Sequence, residues 1–449
     1  MAFLAAGLLI VLSAGPALAH GLGGRIDPRV PRWLFLYGAA AAVVISFVAL
    51  VVLWKTPRLA GVQRGRPLPG TAQRVLRSRS ADVIVRAVAL VIFLVVLASG
   101  LRGGTGAGSI APVFVYIWFW VGLAFLHALL GNLWATLSPW DTLARLFGLG
   151  ERPPRQYPKA AGIWPAAFLL LAFTWMELVD PFGSRPATIG AAIAVYSAIT
   201  LTGMGVFGRR SWNEHGEAFA VYFGLLSRIA PLVRDQQGRV VVRPVLGGLP
   251  GLPVAPGLVA FVLVSLGSTT FDGFSRSSFW LTEVATQSRF EVAALGTAGL
   301  IGMVLAVSIL YMAAMAVAAA VSGAGWRPLA VRFVHSLVPI AFAYLVAHYF
   351  SLLLLEGQQG IALASDPFGT GWNLFGTAGW HINYGLLSAF AVWYIQVAAI
   401  VGGHVGGVIL AHDRAIASFP PASALRTQYA LLAVMVLFTV GGLLILSGG

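Results

Sequence analysis

Ten long apolar segments, separated by charged or glycine- and proline-rich stretches, decide what this 449-residue chain can fold into. They cover about residues 33–54, 83–101, 112–133, 160–179, 187–206, 255–271, 292–320, 329–355, 384–411 and 423–446. At 1.5 Å of rise per residue, each is long enough, or nearly so, to cross a hydrocarbon core of about 30 Å. Helices satisfy their own backbone polar groups in that medium. The expected fold class is therefore all-α, a polytopic helical membrane protein of about ten transmembrane helices. With 58% hydrophobic and only 10% charged residues, a soluble domain could not hide so much apolar surface.

A net charge of +14 could suggest a nucleic-acid partner, but the positions of the charges argue otherwise. Lys55, Arg58, Arg64, Arg66, Arg74, Arg77 and Arg79 fall between the first two segments. Further basic residues cluster at 145–159 and 209–243, and Arg327, Arg332, Arg414 and Arg426 share their side. In all, 21 of 29 basic residues lie in one set of alternating loops. The positive-inside bias assigns those loops to the cytoplasm of a bacterial inner membrane and both mature termini to the outside. The expected partner is the lipid bilayer, with no nucleic acid. Cysteine is absent, which removes disulfides and thiolate sites.

Residues 1–19 read as a signal peptide, with an apolar run from Phe3 to Leu12 and a small-x-small cleavage site at Ala17-Leu18-Ala19. The alternative is a retained extra helix. Residues 20–449 then form a single membrane domain. Two short helices are expected to lie on the cytoplasmic membrane surface. One starts at Ser138-Pro139-Trp140-Asp141, and the other at a capping box, Ser211-Trp212-Asn213-Glu214. A polar stretch between Val233 and Arg243, with Gly238, suits a hairpin. Asp180-Pro181-Phe182-Gly183 recurs as Asp366-Pro367-Phe368-Gly369, which a decayed internal duplication or coincidence would explain.

Three histidines, His127, His335 and His404, sit within apolar segments, each some six or seven residues from the expected cytoplasmic end. Ionisable rings at membrane depth are costly and usually serve a purpose. Neutral imidazoles bind zinc or copper, and three with an open position suit a catalytic metal. Each ring could equally satisfy a backbone carbonyl inside the bundle. His412-Asp413-Arg414 reads as a polar cluster at a helix end.

The opposite side offers an alternative outer metal site at His20, His348 and His381, within an acidic surround that includes Glu356, Asp366, Asp272, Glu283, Glu291, Glu177 and Asp180. A mature N-terminal His20 would bring both an amine and an imidazole to copper. Solvated loop charge accounts for the same acids. A haem pair is not expected: His335 and His348 are thirteen residues apart, about 20 Å of helix, but His404 has no matching partner. Glycine pairs within the spans fit close helix packing better than phosphate binding.

The stretches Ala19-His20-Gly21-Leu22-Gly23-Gly24-Arg25 and Pro31-Arg32-Trp33-Leu34-Phe35 resemble bacterial membrane proteins carried under the name fenitrothion hydrolase. So do Leu266-Gly267-Ser268-Thr269-Thr270-Phe271-Asp272-Gly273-Phe274-Ser275 and Trp393-Tyr394-Ile395-Gln396-Val397, through His404 to Ala411-His412-Asp413-Arg414-Ala415. The likeness covers essentially the whole chain. It implies cleavage of the aryl ester bond of a lipophilic organophosphorus triester. A divalent metal held by His127, His335 and His404 would supply hydroxide for such a reaction. Glu356 or Asp272 would be the catalytic acid candidates if the site lay at the outer face. The alternatives are a transporter of a metal ion or small solute, using the buried histidines and an acidic outer vestibule, and an assembly or sensing protein whose histidines are structural. The residues alone favour transport; only the resemblance favours the enzyme.

Overall fold

The computed structural model describes residues 31–59, 65–76, 78–102, 108–235 and 237–448. The signal-like segment, His20 and the stretch Ala19–Arg25 lie outside these residues. Among the described residues, nine helices are long and apolar enough to cross a membrane, and Trp164–Leu178 is a shorter apolar helix.

In chain order the helices are α1 (Arg32–Leu53), α2 (Arg79–Leu101), α3 (Val113–Leu130), α4 (Pro139–Leu146), α5 (Trp164–Leu178), α6 (Pro186–Phe207) and α7 (Arg209–His215). They continue with α8 (Ala218–Leu226), α9 (Leu258–Ser275), α10 (Arg289–Ser322), α11 (Trp326–Leu354), α12 (Ala389–Ser418) and α13 (Tyr429–Gly448). Side chains accept backbone N–H groups at many of their starts: Ser78 for α2, Ser388 for α12, and a Ser288–Glu291 capping box for α10. The first ten residues of α3 are wound as a π-helix.

A small antiparallel sheet lies between the helices, with β1 (Arg66–Pro67), β2 (Leu232–Arg234) and β3 (Val240–Val242) in the order β1-β3-β2. β2 and β3 form the expected hairpin, with Gly238 at φ +72°. Two-residue β1 carries no strand pattern of its own and pairs because β3 offers a free edge.

The helix from Pro139 starts as expected, with Ser138 accepting from the Asp141 N–H. The expected box at Ser211 is not a helix start. Gly208, at φ +90°, ends α6 and lets α7 begin at Arg209, so Ser211 lies inside a helix. A second helix, α8, then starts at Glu217, and its Phe219, Tyr222 and Phe223 are buried in the core rather than laid on a surface.

The most enclosed spans are α9 and α11. Small residues let neighbours approach them closely. Gly267 of α9 faces Val304 of α10, while Gly403 and Gly407 of α12 face Pro339, Ala343 and Ser336 of α11. Gly100 of α2 and Gly190 of α6 meet backbone to backbone. Close packing, which the sequence suggested, thus holds for Gly403, Gly407 and Gly442, whereas Gly402 and Gly441 meet no neighbour among the described residues.

Asp413 of α12 fastens the chain after α1. One carboxylate oxygen accepts the Trp54 indole N–H at 3.0 Å and the backbone N–H groups of Arg58 at 2.6 Å and Leu59 at 3.2 Å. Neighbouring His412 places its two ring nitrogens 2.9 Å from Gln428 Oε1 and 3.0 Å from the Trp54 carbonyl. The Asp413→Ala variant should orphan three donors, at roughly 1–3 kcal/mol for each one that is buried. A clear fall in melting temperature in detergent is expected, and an unchanged melt would exclude the fastening role.

Candidate functional site

The structure does not bring His127, His335 and His404 together. His127 Nδ1 donates to the Leu123 carbonyl at 2.6 Å, and its Nε2 accepts the Trp134 backbone N–H at 2.8 Å. Its ring stacks on Phe223 at 4.4 Å, so both nitrogens are engaged by the fold. The His335 ring donates towards the backbone carbonyls of Arg332 and Leu410 and lies beside Arg414. His404 Nδ1 donates to the Ile400 carbonyl at 2.8 Å. The Nε2 atoms of His335 and His404 are buried without a hydrogen-bond partner among the described residues.

These two rings differ in depth. The α12 neighbour of His335 is Leu410, six residues or about 9 Å of helix beyond His404. Apolar segment length misjudged the helix ends. α3 stops three residues after His127 at Gly131 (φ +90°), whereas α12 runs fourteen residues past His404. Among the described residues no group of three or more His, Cys, Asp or Glu side chains stands close enough to hold a metal ion.

A different cluster forms at the other end of the bundle. Asp272, in the last turn of α9, is 1% exposed. Arg276 donates to its Oδ1 twice, from Nε at 3.0 Å and Nη2 at 2.7 Å. His348 Nε2 of α11 stands 3.8 Å from Oδ2, and the Tyr349 side chain also hydrogen-bonds to the carboxylate. Glu177, at the end of α5, adds a second acid close to the pair. Gly273 makes room: a Cβ there would meet the His348 ring at 2.7 Å.

Beside His348 a cavity of about 10 Å³, close to the size of one water, is lined by Thr269, Thr270, Tyr344 and His348 together with the apolar Ala347, Ile400, Gly442 and Ile445. On α11, Tyr344 then presents its ring edge-on to His404, with ring centroids 6.0 Å apart. Asp272, His348, Tyr344 and His404 therefore line up in a column through α9, α11 and α12, with a ring contact rather than a hydrogen bond between the last two, since the Tyr344 hydroxyl donates to the Phe438 carbonyl. The sequence groups three members of the cluster, His348 with Asp272 and Glu177, at the outer side, and the i,i+4 spacing of Asp272 and Arg276 was a further signal. Tyr349 and Tyr344 had none, because packing alone brings them in.

The remaining outer candidates are dispersed. Glu356 accepts from the Tyr384 hydroxyl at 3.1 Å, and His381 is exposed in the following loop. Asp366 closes its own turn by accepting the Thr370 and Gly371 N–H groups at 2.9 and 2.7 Å. The Thr370 bond leads in holding its carboxyl below the usual range. Each Asp-Pro-Phe-Gly copy also sets its phenylalanine against arginine: Phe182 under Arg185 and Arg289, Phe368 under Arg102.

A large apolar cavity of about 610 Å³ lies between α2, α3, α5, α6 and α8, lined by side chains such as Val88, Trp118, Phe173, Ile193 and Phe219. Trp134 and Tyr196 also line it, and both donate to the fully buried Glu217 behind them. No family model, curated protein or solved structure matches this chain.

Proposed function

We propose that this chain is a cation transporter of the bacterial inner membrane. In this reading it has ten spans, arginine-rich loops in the cytoplasm and both mature termini outside. The observation that carries it is the column from Asp272 through His348 and Tyr344 to His404. Titratable groups inside a membrane bundle are expensive and mark ion pathways by default. A buried acid at the outer end attracts a cation, the water-sized gap beside His348 lies on its route, and the free Nε2 of His404 accepts a proton or a metal such as zinc or copper. His335, deeper on α11, offers a second free Nε2 on the way to the arginine-rich side.

The test is flux into proteoliposomes holding a pH dye or a metal dye, driven by an imposed potential. Flux of protons or of Zn²⁺ above protein-free vesicles is expected, and none above that background would reject transport.

The organophosphorus triester hydrolase that the resemblance implies has one feature in its favour, the 610 Å³ apolar cavity. A neutral triester would partition into the bilayer and could enter there. Nitrophenol release from an aryl phosphotriester, assayed with and without chelator, decides that reading. Release that purified protein fails to accelerate would remove it.

A further inference from the structure

We propose that the cleft formed by the loop before α5 and the α6–α7 junction binds a phosphate-bearing anion at the membrane–water boundary. The cleft holds about 450 Å³, and Arg155, Lys159, His215, Tyr157, Phe207 and Pro256 are among the residues that line it. No aspartate or glutamate is part of that lining. The nearest acid in sequence to His215, Glu214, is committed to Arg210 at 2.8 Å. Two permanent cations and an imidazole therefore face a space with no counter-charge of the protein's own.

The walls are held in place. Tyr157 donates to the Gly162 carbonyl at 2.8 Å, and the Arg155 N–H donates to the Val206 carbonyl at 3.1 Å. Gly162, at φ +44°, lies against Pro256, whose carbonyl accepts the Ile163 N–H at 2.6 Å. His215 stacks on Tyr157 with centroids 5.2 Å apart. Its Nδ1 bonds the Ser211 carbonyl at 3.0 Å, which leaves Nε2 as the ring's remaining polar atom. A lining that mixes aromatic rings with cationic side chains suits an amphiphilic anion. Basic pockets at the ends of spans hold lipid headgroups by this chemistry. Arginine matches phosphate oxygens in pairs, while lysine adds a point charge.

The depth of the cleft fits that ligand. α5 begins at Trp164 and α6 ends at Phe207, so the cleft opens where two apolar helices give way to polar chain. The phosphate can belong to an anionic phospholipid or to a soluble phosphate. The inference is independent of the transport reading, because it uses none of the residues of the column.

The experiment is native mass spectrometry of the full chain in detergent with phosphatidylglycerol or phosphatidylcholine added, and with inorganic phosphate as competitor. Wild type should hold phosphatidylglycerol in preference to phosphatidylcholine. The double variant Arg155→Gln/Lys159→Gln should weaken it by about tenfold or more, as two interfacial charges are lost. Arg327→Gln, an exposed arginine outside the cleft, should bind as wild type. Displacement by millimolar inorganic phosphate would assign the site to a free phosphate, and resistance to it would assign the site to a lipid headgroup. Equal retention of both lipids with no effect of phosphate would overturn the proposal. So would a double variant that binds as wild type, or an Arg327→Gln variant that loses as much. Both replaced side chains are exposed, and unchanged melting of the variants would confirm that folding is not the cause of any loss.

Discussion

Glu217→Gln should remove most of the folded yield of this protein. The Glu217 carboxylate is wholly buried and accepts four hydrogen bonds. The Tyr196 hydroxyl at 2.5 Å and the Phe219 N–H at 2.9 Å reach Oε1, while the Trp134 indole at 2.9 Å and the Ala220 N–H at 2.7 Å reach Oε2. An ionised carboxylate only accepts, so four donors suit it without conflict. Glutamine keeps one acceptor oxygen and turns the other position into a donor that faces two donors. Each orphaned buried donor costs roughly 1–3 kcal/mol, and the opposed N–H groups add repulsion. Tyr196→Phe removes only one donor and should cost about 1 kcal/mol. Size-exclusion profiles and melting curves in detergent measure both variants. A Glu217→Gln protein that melts with wild type would show that the hub does not hold α3, α6 and α8 together.

The hub also shows where sequence reading stops. Its backbone donors at 219 and 220 follow the spacing of a helix N-cap, but no spacing rule links Glu217 to Trp134 and Tyr196. The spans are legible because each must satisfy its own backbone and carry its own apolar surface, whatever its neighbours do. Their ends are less so. α12 continues through His412, Asp413 and Arg414 only because Trp54, Arg58, Leu59 and Gln428 arrive from elsewhere to satisfy the first two of those side chains. That extension, with the early stop of α3 at Gly131, separates three histidines that hydropathy alone set at a common depth. At His127 the second nitrogen is taken by the Trp134 N–H, a contact made by the chain folding back after the helix. Asp272 was visible as a candidate acid, but its full setting was not, since Tyr349 reaches it from α11.

Asp272→Asn should cut cation flux in proteoliposomes by more than tenfold in a bundle that still folds but melts at a lower temperature. Asparagine retains an oxygen at the position that Arg276 contacts from two nitrogens, so one structural acceptor persists. The negative charge is lost. Arg276 then confronts an arriving cation with only Glu177 to offset it, and His348 loses the carboxylate 3.8 Å from its Nε2. At that separation, with an effective dielectric near 20, the interaction between full charges is about 4 kcal/mol. A third of it suffices for a tenfold change in rate. A purely structural role for the pair is tested by adding Arg276→Gln. Removing both members of a buried ion pair is commonly neutral for stability, whereas removing one is not. The double variant Asp272→Asn/Arg276→Gln should therefore melt near wild type and still fail to conduct. Flux that returns with stability in the double variant would reduce Asp272 to a packing residue, and flux that never falls in Asp272→Asn would take the column out of the transport path.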